Sequence, residues 1–248
     1  MDEAEWLAST DPEPMLAFLR GRASDRKLRL FACACCRRLW NLLTDQREWK
    51  SIEFAERCAA GLATTKQLHE LGWGGLYEGP PAVYPDSWQA ASVSSEYGIG
   101  MVANSGTALD NEADVVWKAA FQKSLGRGDS LAEAQSAADA VVPAEWFALK
   151  ENEQKFQSHL LHDLFGFLLF RPVALDPAWR TRAVTALATA AYEERILPVG
   201  TLDPDRLAVL SDALEDAGCG NTDILSHLRG PGPHVRGCWV LDLLLGKE

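Results

Sequence analysis

No apolar run in this 248-residue chain approaches the eighteen or so residues that cross a bilayer, and the opening MDEAEWLASTDPEP lacks both a basic n-region and an apolar h-region. The expectation is a cytoplasmic protein with no membrane span. Positive charge is scarce: 24 Lys and Arg face 35 Asp and Glu, a formal net charge of -11. Broad nucleic-acid or anionic-membrane surfaces are held by excess Lys and Arg, so the balance argues against both. The six cysteines make no secreted disulfide framework, because Cys33, Cys35 and Cys36 stand too close together. No convincing strand is found, so no Gly-rich phosphate loop follows one. Disorder is also unexpected in a chain that is 47% hydrophobic and 24% charged.

Helix signals are what the chain has in quantity. Asp11-Pro12, Asp176-Pro177 and Asp203-Pro204 each pair a capping acceptor with a residue that needs no N–H in the first turn. They predict helices through Met15 and Leu19, through Val184, Leu187 and Ala191, and through Leu207, Leu210 and Leu214. Ser24 or Asp25 opens another, in which Leu28, Phe31, Ala32, Cys35, Leu39 and Leu42 keep one apolar face. Asp45 with Glu48, Thr64 with Gln67, and Ser130 with Glu133 have capping-box spacing. The segment from 71 to 86 is rich in Gly, Pro and aromatics and reads as an ordered loop or boundary. Trp88, Trp117 and Trp146 recur at equal steps, but the residues between them do not match, so coincidence is preferred to a decayed repeat.

The helix from Ser24 also carries Arg26, Arg29, Cys33 and Arg37 on its second face, within the only dense basic patch. That face reads as solvated and paired with acidic residues, or as the rim of a partner-binding groove at Arg26, Arg29 and Arg37. Cys33, Cys35 and Cys36 cannot all bind one metal from a regular helix, since neighbours point in different directions. Asp242 lies inside an apolar run and needs a partner, from Arg236 or from this basic helix.

Two stretches carry candidate chemistry. Near the C-terminus, Cys219, His227, His234 and Cys238 are spaced C-x7-H-x6-H-x3-C, thiolate and imidazole ligands that suit a tetrahedral zinc ion. Asn221 or Thr222 caps a short helix through Ile224, Leu225 and Leu228, Gly230 ends it, and Pro231-Gly232-Pro233 turns the chain before a final apolar helix beginning at Val235. The loop would fold His234 and Cys238 back towards His227. The stretch has no tight C-x2-C or H-x3-H pair, so packed Cys and capping His are the competing account. The second stretch ends the long helix expected over 144–170. There His159 and His162 share a face, and His162-Asp163 resembles the His-Asp signature of HD-type metal phosphohydrolases, in which the pair binds a metal that activates water. That family needs an upstream His, for which only His69 is available, and a downstream Asp, for which no context is found. The Ser158-His159 and Ser226-His227 neighbours cannot easily face each other as a catalytic pair.

The opening AEWLASTDPEPMLAFLRGRASDRKLRLFACACCRRLW, the middle DLFGFLLFRPVALDPAW and the close LSDALEDAGCGNTDILSHLRGPGPHVRGCWVLDLLLGKE resemble a family of uncharacterised proteins abundant in planctomycete bacteria. The resemblance covers most of residues 1 to 70 and 160 to 248. It implies no activity, cofactor or catalytic residue. Its members carry Arg-Asp where this chain has His162-Asp163, which weighs against the HD reading.

These signals predict an all-α orthogonal bundle of about ten helices in one domain, with 1–70 and 151–248 sharing a core and a Trp/Ala-rich insertion over 71–150. Three functions compete: a non-catalytic interaction or scaffold module with another protein as partner, a metal protein built on either candidate stretch, and a regulator contacting nucleic acid through the basic helix.

Overall fold

The computed structural model describes residues 1–41, 43, 46–64, 66, 67, 90, 91, 94, 113–141 and 144–247. Among them are eleven α-helices: α1 Glu3–Ala8, α2 Pro12–Leu19, α3 Asp25–Arg38, α4 Gln46–Ala59, α5 Ala113–Gly126, α6 Leu131–Asp139, α7 Ala144–Phe165, α8 Arg182–Glu193, α9 Pro204–Asp216, α10 Thr222–Leu228 and α11 Trp239–Leu245. No strand occurs among the described residues, only the isolated bridges Ile196–Thr201 and Thr201–Val235. The protein is an all-α multi-helix bundle.

The helix starts follow local hydrogen bonding. Asp11 accepts from the Glu13 amide with Pro12 in the first turn, and Asp203 does the same for the Asp205 amide ahead of Pro204. Ser24 caps α3, and Ser130 and Glu133 form the expected box on α6. Thr64 and Gln67 bond reciprocally. Helix α1 is additional to the expected set, and its Asp2 and Glu5 make a capping box of their own. Two starts fall later than expected. Asp176 caps only a 3-10 turn, Pro177–Trp179, because Arg180 leaves helical dihedrals, and Thr181 caps α8. Val235 enters a bridge with Thr201, so the final helix begins after Cys238.

Two cores divide the burial that matters for the site. In the first, Leu160, Leu161, Leu164 and Phe165 of α7 pack with Trp6, Met15, Leu19 and Phe31. In the second, Ala188, Leu207, Leu214, Leu228 and Trp239 bring α8 to α11 together. The segment from Val235 to Cys238 crosses the seam, since Val235 belongs to the first core and Cys238 to the second. In the middle region, α5 and α6 pack on each other, and the Trp117 indole donates to Asp139 at 2.8 Å. Trp88, Asp45, His69 and the 71–86 segment lie outside the described residues, as does the side chain of Trp146.

Helix α3 differs most from its expected form. Leu28, Phe31, Ala32, Cys35 and Leu39 of its predicted apolar face are buried, Leu42 lying outside the described residues, but so are Arg29, Cys33 and Arg37 on the other, because α4 and α7 both pack against this helix. Arg37 and Arg195 both grip the Glu56 carboxylate through bonds of 2.5 to 2.9 Å. Arg26 chelates Asp242 at 2.7 and 2.9 Å and also donates to the Tyr192 hydroxyl. The basic helix thus supplies the partner that Asp242 requires, while Arg236 pairs with Glu193. These arginines hold helices together, and Arg26, Arg29 and Arg37 do not form an exposed rim.

Candidate metal centre

On α7, Asp163 falls among the core residues Leu160, Leu161 and Leu164, which puts its carboxylate on the buried side of the helix, where it is only 3% exposed. On α10, the Asn221 cap accepts from the Asp223 and Ile224 amides, and burial of Ile224, Leu225 and Leu228 orients the helix. His227 in its last turn then meets Asp163. The Gly230–Gly237 loop returns the chain as its composition suggests. Gly232 has φ of 76°, and a Cβ there would lie 3.0 Å from the His234 amide nitrogen, so the turn needs glycine.

The result is a cluster of Asp163, His227, His234 and Cys238 whose ligand atoms all lie within 4.8 Å of one another. Asp163 Oδ1 stands 2.7 Å from His234 Nδ1 and 3.1 Å from His227 Nε2, and His227 Nε2 is 3.2 Å from Cys238 Sγ. The second carboxylate oxygen accepts from the Val235 amide at 2.8 Å. His234 Nε2 faces the Gly230 carbonyl at 3.4 Å.

Burial alone would raise the Asp163 pKa, but hydrogen bonds from His227 and His234 outweigh it and hold the carboxyl well below its ordinary range. Burial works the other way on His234, and bonding to Asp163 reverses it, so its pKa is raised. The Cys238 thiol is pushed well up, first by burial and then by the Asp163 charge. That thiol is not an activated nucleophile. Cys238 and Asp163 also approach the same nitrogen of His227, whereas a Cys-His-Asp relay needs them on opposite nitrogens.

A metal fits the donor set better. Tetrahedral zinc with bonds of about 2.0–2.3 Å places its ligand atoms roughly 3.3–3.8 Å apart. The contacts of 2.7 to 3.2 Å inside a 4.8 Å envelope bracket that spacing, so small shifts would seat an ion. With His234 bound through Nδ1, its other nitrogen would hold the Gly230 carbonyl, and the Val235 amide would hold the non-bonding oxygen of Asp163. Such outer contacts are what fix ligands around metals.

Three of the four predicted zinc ligands meet, namely His227, His234 and Cys238. Cys219 does not join them: it is buried in the C-terminal core after α9, with its amide bonded to the Leu214 carbonyl. Asp163 takes its place. His159 and His162, the neighbours of Asp163 in the chain, line a pocket of about 160 Å³ together with Asp163, His227 and the Gly230–His234 loop, so three of the cluster residues border it. His162 is engaged elsewhere, donating from Nε2 to the Trp6 carbonyl at 2.8 Å, and burial lowers its pKa. Ser158 and Ser226 donate to backbone carbonyls one helical turn back. The missed signal was the charge itself: a carboxylate among Leu160, Leu161 and Leu164 demands a partner, as Asp242 does in its own apolar run.

Comparison of the chain with protein-family models, with curated proteins and with solved structures finds no match.

Proposed function

We propose that this is a non-catalytic metal-binding protein in which one zinc ion, held by Asp163, His227, His234 and Cys238, fastens α7 to the C-terminal segment. The observation that carries the reading is the convergence of four ligand atoms from three separate stretches of chain. Four protein ligands leave no open position for water, which is the pattern of a structural zinc site. The location suits that role. Asp163 belongs to a helix of the first core and Cys238 to the second, so the ion would cross-link them. Binding to the folded chain alone would add to stability by mass action.

The test is elemental analysis of protein purified without chelator. One equivalent of zinc per chain is expected, with a lower melting temperature after chelator removes it. Protein that contains no zinc and takes none up on dialysis would end the proposal.

A second role, docking of another protein, is supported by a different feature. Ile196, Leu197 and Val199 expose between 39% and 63% of their surface beside the Ile196–Thr201 bridge. Replacing Ile196 and Leu197 with Asp should abolish any complex formed there without unfolding the protein. A complex that survives both changes would place the partner elsewhere.

A further inference from the structure

Lys27 is a cation that the metal reading leaves to be accounted for. Lys27 sits in the first turn of α3, and its side chain is only 12% exposed. Its ammonium donates to the Leu164 carbonyl at 2.7 Å and the Gly237 carbonyl at 2.6 Å, and lies 2.8 Å from Asp242 Oδ2. An ammonium has three N–H donors, and these contacts use all of them. Two of the three are residues adjacent in sequence to cluster members: Leu164 follows Asp163 and Gly237 precedes Cys238.

We infer that Lys27 is a positioning residue for the metal centre, setting the separation between the Asp163 and Cys238 ligand atoms by holding the neighbouring carbonyls on one charge. This rests on the metal reading above. The geometry around it supports the assignment. The Leu164 carbonyl lies at the end of α7, where helix carbonyls lack intrahelical donors and attract cations. Gly237 has φ of 97°, and a Cβ there would come within 2.7 Å of Leu30 and 2.8 Å of Leu164, so glycine is what lets its carbonyl approach this corner. Val235 donates to Asp163 from the other end of the same short segment. The segment carrying His234 and Cys238 is therefore pinned to α7 at both ends, once through Asp163 and once through Lys27.

The Asp242 contact separates this role from general stabilisation. Asp242 is held by Arg26 as well as by Lys27, and it belongs to α11, beyond the ligands. Removing its charge weakens the junction between α3 and α11 but leaves the two carbonyl bonds of Lys27 in place.

The experiment is a zinc titration against a competing chelator, with cobalt(II) absorption as a reporter of ligand geometry, on the full chain and on Lys27→Met and Asp242→Asn. Lys27→Met should weaken zinc binding by roughly 10–100-fold, the usual effect of losing an outer contact, and should change the cobalt bands. Asp242→Asn should lower the melting temperature while keeping wild-type zinc affinity and cobalt bands. Lys27→Gln, which stays polar but is one atom shorter, serves where Lys27→Met fails to fold, and the same direction is expected. Wild-type affinity and bands in the Lys27 variants would overturn the inference, as would an equal loss of affinity in Asp242→Asn. An unmodified chain that binds neither zinc nor cobalt would instead overturn the metal reading on which the inference rests.

Discussion

His234 and Asp163 stand 71 positions apart in the chain, yet His234 Nδ1 lies 2.7 Å from Asp163 Oδ1, with both side chains buried. The contact joins the loop after α10 to α7, and His227 and Cys238 complete the cluster around it. Single substitutions should therefore divide five of the candidate residues sharply. Cys238→Ala, His234→Ala and Asp163→Asn should each lower zinc affinity by at least tenfold, whereas Cys219→Ala and His159→Ala should leave it unchanged. Equilibrium titration of each variant checks this, and dependence on Cys219 would contradict the ligand set.

Glu56 gives an acid-sensitive contact away from the site. Burial alone would raise its pKa, but the bonds from Arg37 and Arg195 bring it down from 4.5 to about 2. A carboxyl whose pKa is lower in the folded chain stabilises fully above its unfolded value and loses that contribution as pH falls through the folded one. Urea unfolding should show the difference in stability between wild type and Glu56→Gln shrinking from about pH 5 towards pH 2. A difference constant over that window would contradict the coupling. At neutral pH, Glu56→Ala should cost about 3–5 kcal/mol, because it strands two buried guanidinium groups.

Gly237→Ala should be severe for a single methyl group. The backbone φ of 97° disfavours an L side chain, and the new Cβ would press on Leu30 and Leu164. A loss of about 1–3 kcal/mol is expected from the strained backbone and the overpacking together. Thermal unfolding checks it. A wild-type melting temperature would mean that the turn relaxes freely.

Asn221→Ala tests how the helix bearing His227 is held. The Asn221 side chain accepts from both the Asp223 and Ile224 amides, and α10 has only seven residues. About 1 kcal/mol should be lost with the cap, and amide exchange across 222–228 should quicken more than exchange in α9. Unchanged exchange there would show that core packing alone fixes the helix.

Much of the architecture was legible because it is local. Asp11, Ser24, Asp203 and Asn221 announce their helices by residue type, and Gly232 with its flanking prolines announces the turn that returns His234 towards His227. Long-range pairing was legible at Asp242, whose buried charge pointed to the basic helix that supplies Arg26, but not at Asp163. Nothing near Asp163 in the chain points to the C-terminal loop, and its neighbours His159 and His162 suggested a different chemistry. Cys219 fell within ligand spacing but is drawn into the C-terminal core behind Leu214. Arg29 and Arg37 looked like a solvated face because helix periodicity marks the first buried face and not a second one made by α4 and α7. Asp176 shows the limit of cap signals: it bonds the Ala178 amide as an N-cap should, yet the turn ends at Trp179.

The most direct test of the metal centre is zinc K-edge X-ray absorption on the protein as purified. The ligand set predicts one sulfur at about 2.3 Å and three nitrogen or oxygen atoms at about 2.0–2.1 Å, with the sulfur shell absent in Cys238→Ala. A zinc shell with no sulfur, or with two, would contradict the assignment of Asp163, His227, His234 and Cys238.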